Sequence, residues 1–258
     1  MAHKVYENVI LANKLNDILT TKVDLNAYMT IDTSMTEDAG MKKAINVYTS
    51  TGDVEELAMG EGNTGEIEVS FETKEYEVKT YQGKFGFFDE QEMKDPMVVD
   101  AGLAHSADIM TNKWTSLAIA EFEKATLTQE GTEWSFDVVV DAIAKMNLED
   151  ESGLFLLISP ADKAAFRKAL KDDLSYSEAF VRTGYIGTVA GVPVVVSKAV
   201  PAGKGYLATK EAVSVFIKKA AETEYERDAD TRRNDYWVRK VGVVALTDAT
   251  KVVKIAIA

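Results

Sequence analysis

Apolar and polar side chains alternate in two consecutive runs, at residues 67–74 and 76–81. A period of two is typical of β-strands that have one apolar and one polar face. The two runs therefore predict a long, two-sided β-ribbon. An isolated ribbon is at best marginally stable in water, so we expect this one to lie against something else.

The pattern becomes helical after Pro96, a residue well suited to the first turn of a helix. One helix face would carry Val99, Leu103, Ala107, Met110, Trp114 and Leu117. The period runs to about Ala125, which predicts a helix of about 30 residues and about 40 Å. A shorter amphipathic helix is predicted over residues 6–19. The stretch 24–51 has no clear period, so we expect an extended arm there.

The second half of the chain alternates short helices with apolar strands, as in a compact mixed layer. Helices are predicted after Ser135 and Ser159, both of which are favourable N-cap residues. Strands are predicted at residues 154–158, 192–196, 213–218, 236–246 and 251–256. No internal repeat is found, and the order of elements is typical of an α/β or α+β layer; the α+β class is the one expected for the fold that the segments below resemble.

Composition narrows the classes of function. The chain is 46% hydrophobic and 28% charged, and 29 basic against 42 acidic residues give a net charge of −13. A chain with this charge repels phosphate, so we do not expect nucleic-acid recognition through a broad basic face. It has no cysteine, which excludes disulfides, thiolate metal sites and cysteine nucleophiles. No apolar run is long enough for a signal peptide or a membrane span.

The negative charge is concentrated in the region of the predicted ribbon. Residues 53–95 contain thirteen acidic residues and four lysines. Like charges across a ribbon destabilise it, which strengthens the expectation of a partner surface. A second charged segment, residues 218–240, contains six acids and seven bases. Mixed signs of this kind favour ion pairs within or between subunits over a phosphate site.

Motifs that could support catalysis or cofactor binding fit other interpretations better. The sequence GEGNTG at residues 60–65 matches a dinucleotide fingerprint, but a strand pattern follows it where that motif requires a helix. We therefore expect a loop tip. His105 and Asp108 could pair on a helix, although two histidines in the whole chain do not favour a zinc site. Ser159 lacks the flanking glycines of a nucleophile elbow. No catalytic, cofactor-binding or metal-binding residue is predicted, and the protein is not expected to be an enzyme.

Six short segments, in this order, resemble the major capsid proteins of tailed double-stranded DNA bacteriophages, which have the Hong Kong 97 type fold. They are MTIDTS (29–34), VEELA (54–58), MKDPMV (93–98), GTVAGVPV (187–194), ERDADTR (226–232) and VVKI (252–255). Each segment is short, and the specificity of the resemblance comes from their joint occurrence over nearly the whole chain.

The resemblance implies five segments. They are an N-terminal arm (1–44), an extended β-hairpin loop (45–94), a peripheral domain with a long spine helix (95–132), an axial domain (133–208) and return strands of the peripheral domain (209–258). It also implies a structural virion protein that self-assembles as hexamers and pentamers into an icosahedral shell. The shell would form in the host bacterial cytoplasm and enclose double-stranded DNA without sequence-specific binding and without a membrane.

Other partners and functions follow from the same resemblance. Some relatives carry a scaffolding segment before the arm, whereas this chain begins its arm directly after Met1, so a separate scaffolding protein is expected. A portal is a further expected partner, whereas the sequence leaves open whether a decoration protein binds the outside of the shell. Two alternatives stay open: an encapsulin-type nanocompartment that encloses an enzyme, and a carboxylate-dependent hydrolase that works as a compact monomer.

Eight charged residues are candidates for contacts between subunits. They are Glu66, Glu68, Glu72, Lys218, Lys219, Arg227, Arg232 and Arg233. The acidic ribbon of one subunit would lie on the basic residues of its neighbour. Some relatives also join subunits by a lysine to asparagine isopeptide bond, for which Lys74, Lys79, Lys84 and Asn234 have suitable chemistry.

Overall fold

The computed structural model describes residues 25–37, 39–95, 97–169 and 187–257. The helix predicted over residues 6–19 and the predicted first-turn position of Pro96 lie outside the described residues. Within them, the chain forms a four-stranded sheet, a six-stranded sheet and a separate two-stranded hairpin, with helices packed on the larger sheets. None of the described helices combines the length and the apolar character needed to cross a bilayer.

The described residues form twelve strands and four α-helices. The strands are β1 (Thr30–Asp32), β2 (Lys42–Thr51), β3 (Glu68–Glu77), β4 (Lys79–Phe88), β5 (Leu127–Gly131), β6 (Leu154–Ile158), β7 (Thr188–Val189), β8 (Val192–Val196), β9 (Lys204–Thr209), β10 (Val213–Asp228), β11 (Arg233–Leu246) and β12 (Val252–Ile257). The helices are α1 (Asp89–Lys94), α2 (Val98–Phe122), α3 (Phe136–Met146) and α4 (Pro160–Ala169). Short 3-10 helices lie at Leu25–Tyr28, Ser34–Thr36 and Ala249–Lys251.

The four-stranded sheet has the order β1-β10-β11-β4 and is covered on both faces. Because side chains alternate along a strand, Val215 and Val244 face one way and Phe216 and Ala245 the other. The first face packs under α2 in one apolar core. The second face packs against the base of the hairpin in another.

The long helix predicted after Pro96 is present as α2, with 25 residues and a length of about 37 Å. It ends three residues before the predicted limit. Buried side chains on its inner face include Leu103, Ala107, Met110 and Trp114. Gly102 allows α2 to approach β4 closely, because a Cβ there would meet the ring of Phe85 at 2.2 Å.

The six-stranded sheet has the order β5-β12-β9-β6-β8-β7 and holds the other main core, with α3 and α4 against it. Both predicted N-caps are present: the Oγ atoms of Ser135 and Ser159 accept from Val138 N and Asp162 N. Strands β5 and β12 belong to this sheet, although they fall in segments that the sequence assigned to the peripheral domain. The six-stranded sheet therefore includes strands from both sides of the predicted segment boundaries at residues 132 and 208.

The ribbon has a different partner strand from the one the sequence predicts. The two alternating runs do not pair with each other: the first forms most of β3, and the second is divided between the end of β3 and the start of β4, which pairs with β11. The partner of β3 is β2, inside the stretch expected to be an extended arm. Strand β2 has no clear period because most of its residues are exposed on both faces. Similarly, β10 runs to Asp228 through the charged segment, where Arg239 on β11 pairs with Glu222.

Candidate assembly surfaces

Among the described residues, the hairpin of β2 and β3 is anchored only at its base. There, Tyr76 stacks on Phe216 with ring centroids 5.8 Å apart, and its hydroxyl donates to Leu246 O over 3.3 Å. Lys43 donates to Ser34 Oγ over 2.8 Å and lies 3.6 Å from Asp32. Ile45 packs against the same core. These contacts fix the direction in which the rest of the hairpin projects.

The outer part of the hairpin has two chemically different faces. One carries Tyr48, Ile67, Val69 and Phe71, each between 62% and 66% exposed. Tyr48 and Phe71 are cross-strand partners with ring centroids 5.8 Å apart. The other face carries the acidic side chains of Glu68 and Glu72. A contiguous apolar patch on an exposed ribbon is typical of an interaction surface.

The loop between β2 and β3 is ordered by one carboxylate. Glu55 accepts hydrogen bonds from the backbone N and the hydroxyl of Thr64 and from Gly65 N, at 2.6–2.9 Å. The hydrogen bond from the Thr64 side chain is the main reason that the pKa of Glu55 is lowered. The GEGNTG motif lies in this loop and leads into β3, as the strand pattern predicted, so it lacks the helix that a dinucleotide site requires.

The five basic candidate residues all have partners in their own chain. Lys218 donates to Met35 O over 2.8 Å, and the other four form ion pairs. These pairs are Lys219–Glu222, Arg227–Asp89, Arg232–Glu90 and Arg233–Asp235, at 2.6–3.6 Å. Hydrogen bonding from Arg227 and then Asn234 lowers the pKa of Asp89. The basic cluster thus already contacts the C-terminal end of the acidic segment, in α1.

The three acidic candidates lie elsewhere. Glu66 precedes β3, and Glu68 and Glu72 lie on it, all exposed. Within the described part of the chain, these three residues form no ion pair. The structure therefore does not bring the acidic and basic candidates together inside one subunit, and their proposed contact is one between copies.

Asn234 is not presented for an isopeptide bond. Its side chain belongs to a residue that is only 4% exposed, donates to Asp89 Oδ1 over 2.6 Å and accepts from the Tyr225 hydroxyl over 2.5 Å. Lys84 is 2.8 Å from Asp235 and lies over the ring of Trp237. A crosslink at Asn234 would require this buried network to open first.

Two carboxylates hold the larger layers together, a role that the sequence did not predict for either of them. Glu123, just after α2, accepts from Lys204 Nζ at 2.7 Å, Tyr206 Oη at 2.6 Å and Lys254 Nζ at 3.3 Å, and so ties α2 to β9 and β12. Burial alone would raise the pKa of Glu123, but these hydrogen bonds outweigh it and hold the pKa at about 2. Burial, and then the nearby carboxylate, raise the pKa of Tyr206.

The second carboxylate is Asp162, which is only 5% exposed. It accepts from Trp134 Nε1 at 3.0 Å, Ser159 Oγ at 2.6 Å and Gly203 N at 3.0 Å. This places a buried carboxyl group, with its hydrogen bonds formed, between α4 and the turn before β9. Both groups serve packing, and among the described residues no three histidine or carboxylate side chains are arranged to bind a metal ion.

Comparison with known proteins agrees with this architecture. Residues 71–255 match the model of a family described as phage capsid protein. The major capsid protein of Staphylococcus phage phiMR11 is 26% identical, with 95% of this chain and 91% of that protein aligned.

Two solved structures show the same fold. The capsid of a native GTA particle aligns with a TM-score of 0.73 at 11% identity, covering 100% of this chain and 94% of that one. The virus-like particle from Pyrococcus furiosus aligns at 0.65 and 12% identity, covering 95% and 97%. The predicted Hong Kong 97 type fold is confirmed, with its mixture of helices and sheets.

Proposed function

Because the chain belongs to the phage capsid protein family, we propose that it is the major capsid protein of a tailed phage, assembling as hexamers and pentamers into an icosahedral shell around double-stranded DNA. The match over residues 71–255 is the observation that carries this assignment. The exposed hairpin supports it independently, since its apolar face is not covered by the described residues of its own subunit, and such a face suits a protein that works as many copies. Many modest contacts of this kind add up to a durable shell.

The net charge of −13 suits the proposed contents. DNA packed at high density must slide along the inner wall, and a wall that repels phosphate does not hold it. The protein would therefore enclose DNA without sequence-specific contacts. Its role is structural, with no catalytic step, and the virion is where it works.

We further propose the partners and the site of assembly that the family resemblance implies. The shell forms in the host bacterial cytoplasm with a separate scaffolding protein and a portal. The peripheral part of each subunit corresponds to the four-stranded sheet with α2 as its spine, and the axial part to the six-stranded sheet around the symmetry axes.

The eight charged candidates form a complementary pair of surfaces between copies. The acidic side would be Glu66, Glu68 and Glu72, and the basic side would be Lys218, Lys219, Arg227, Arg232 and Arg233. Complementary charge of this kind steers association and sets orientation more than it adds affinity. Changing all three glutamates to lysine should slow assembly strongly and leave the subunit folded, because none of them forms an ion pair in its own described chain. Normal assembly kinetics of that variant would contradict the charged contact.

Neither alternative function is favoured by a specific feature. An encapsulin-type nanocompartment protein would have the same fold, and its particle would contain a protein cargo in place of DNA. A hydrolase with an acidic cleft would be active as a compact monomer, whereas the hairpin of this subunit projects away from the other residues that the structure describes.

The deciding experiment is imaging of the particles and their contents. The protein is expressed alone and then together with its genomic neighbours, and examined by mass photometry and negative-stain microscopy. Closed shells or capsomers are expected, and shells made in the presence of the packaging machinery should contain DNA. A monodisperse monomer under both conditions would overturn the proposal, and shells filled with a protein cargo would favour the nanocompartment.

A further inference from the structure

The exposed side of α3 combines apolar and acidic side chains. Phe136 and Val140 lie one turn apart and are 48% and 40% exposed. Asp137 and Asp141 follow them directly in sequence and are exposed beside them. Neither aspartate forms an ion pair with another described residue. An exposed apolar strip bordered by such carboxylates is typical of a contact surface.

The exposed side of α4 is basic and carries small residues. Arg167 and Lys168 lie in its last turn, are exposed, and form no ion pair among the described residues. Ala164 is exposed one turn before Lys168, on the same side of the helix. Because alanine is short, larger apolar side chains from another molecule can approach α4 closely there. This surface is therefore complementary to that of α3 in charge and in side-chain size.

The two helices lie towards opposite edges of the six-stranded sheet. Helix α3 packs against β5 and β12, and β5 is one edge of that sheet. Helix α4 follows β6, which pairs in parallel with β8, the neighbour of the other edge strand. A connection between parallel neighbours crosses over that part of the sheet, so α4 lies on the β8 side. The exposed charges of the two helices do not pair with each other inside the described subunit, and both surfaces are available to other copies.

We propose that α3 of one subunit packs against α4 of the next copy in a ring. In this contact, Phe136 and Val140 lie against Ala164, and the carboxylates of α3 face the basic residues of α4. The inference rests on the proposed function, because it identifies a contact that closes hexamers and pentamers. Two different surfaces near opposite edges give a head-to-tail contact, and such contacts generate rings. Opposite charge steers the approach and sets the orientation, while the apolar side chains contribute burial.

The first test reverses the charge of each surface. Asp137→Lys with Asp141→Lys, and separately Arg167→Glu with Lys168→Glu, should each lower the yield of capsomers and shells by about tenfold or more, because like charges then face each other. A chain with all four substitutions has both signs reversed and should recover most of the yield. Urea unfolding checks that each variant is folded. Assembly of either two-residue variant at the unmodified level would overturn the inference.

Glu149→Lys with Glu151→Lys is the matched control for the first test. Both residues are exposed in the loop after α3, so this pair makes the same change in net charge outside the proposed contact. It should assemble at the unmodified level. If it lost as much yield as the variant of the two aspartates, net charge and not the α3–α4 contact would explain the loss, and the inference would be wrong.

Mixing the two charge-reversed proteins tests the ring itself. One of them has two basic surfaces and the other has two acidic surfaces, so each repels its own kind and accepts only the other as a neighbour. Strict alternation closes a ring with an even number of subunits and cannot close a pentamer. Native mass spectrometry and microscopy of the mixture should therefore show hexamers, without pentamers or closed shells. A mixture that gives only heterodimers would indicate a twofold contact and would overturn the head-to-tail arrangement.

The second test measures the contact in assembled particles. The chain has no cysteine, so introduced cysteines are the only thiols. Val140→Cys with Ala164→Cys should give, on oxidation, a ladder of covalent multimers that ends at the hexamer and that reduction reverses. Val140→Cys alone is the control and should remain monomeric, because α3 does not meet α3 of another copy. Dimers of that single variant would contradict the inference.

The outcomes separate this inference from the proposed function. Shells that form from the Val140→Cys and Ala164→Cys variant without any crosslink between subunits would overturn the inference and leave the capsid role intact. Failure of the unmodified protein to form any particle, seen by microscopy before crosslinking, would instead contradict the proposed function.

Discussion

The Glu123 carboxylate connects α2 to the six-stranded sheet through three side chains, two of them lysines. Replacing it by glutamine removes the charge from these hydrogen bonds, and we expect the free energy of unfolding to fall by about 1–2 kcal/mol at pH 7. This lies in the lower part of the range for charged groups because the side chain is 37% exposed and partly screened by water. Urea unfolding of the two proteins measures the difference.

The same contact predicts a pH dependence with a definite sign. The pKa of Glu123 is lowered from 4.5 to about 2 in the folded protein, so its contribution is complete above pH 4.5 and is lost as the pH falls towards 2. The difference in unfolding free energy between the unmodified protein and Glu123→Gln should therefore shrink between these two values. A difference that stays constant down to pH 2 would show that the charge of Glu123 does not stabilise the fold.

Asp162 is buried with three hydrogen-bond donors directed at it. In Asp162→Ala these donors lose their acceptor, and Trp134 Nε1 has no access to water in its place. We expect a loss of at least about 2 kcal/mol in the free energy of unfolding. Asp137→Ala is the matched control, since Asp137 is also in the first turn of a helix but is exposed, and it should cost under about 1 kcal/mol. Equal losses in the two variants would contradict the role of the buried network.

Few contacts hold the hairpin to the rest of the described subunit, so its stability depends strongly on each of them. Tyr76→Ala removes the stacking on Phe216 and the hydrogen bond to Leu246 O, so amide hydrogens of β2 and β3 should exchange about tenfold faster. Tyr48→Ala, at the exposed end of the same hairpin, should change these rates by less than about twofold. Hydrogen–deuterium exchange followed by mass spectrometry measures both. Equal effects of the two substitutions would mean that the base does not anchor the hairpin.

Some elements could be predicted from sequence because their burial follows a regular period. Helix α2 has one buried face along its length, and β6 is a short run of five buried residues. Strand β2 could not be found in this way, since little of it is buried. The charged parts of β10 and β11 were missed because ion pairs across the strands replace apolar packing there, and such pairs depend on a register that local sequence does not contain.

For the same reason, the sequence predicts only part of the candidate assembly surfaces. The alternation in β3 places Val69 and Phe71 on one face and Glu68 and Glu72 on the other, and the sequence alone predicts this division. An apolar groove between β4 and α2 was not predicted, because it depends on Gly83 of β4 lying beside Val238 of β11 and near Ile109 of α2. These three residues are far apart in sequence, and no local pattern indicates that an isolated glycine leaves space at that point.

For the whole molecule, the balance between charge and apolar contact predicts the effect of salt. Copies that each carry a net charge of −13 repel one another. Raising the salt concentration from about 0.1 M to about 1 M shortens the Debye length from about 10 Å to about 3 Å and leaves apolar contacts intact. The protein concentration at which shells form should therefore fall, as measured by light scattering. Shells that dissolve at about 1 M salt would indicate that ion pairs dominate the contacts between subunits.

The junction between β3 and β4 has a further consequence. A single buried residue, Val78, separates the two strands, and its backbone N donates to Met41 O over 2.8 Å. The hairpin is therefore joined to the four-stranded sheet with no flexible linker on that side. A loose arm would lose conformational entropy when it bound a neighbour, whereas much of that loss has already occurred in this subunit during folding. Each subunit thus presents its neighbour with a hairpin that is already held in one orientation. Less of the docking free energy is therefore lost to ordering the hairpin, and more of it stabilises the closed shell.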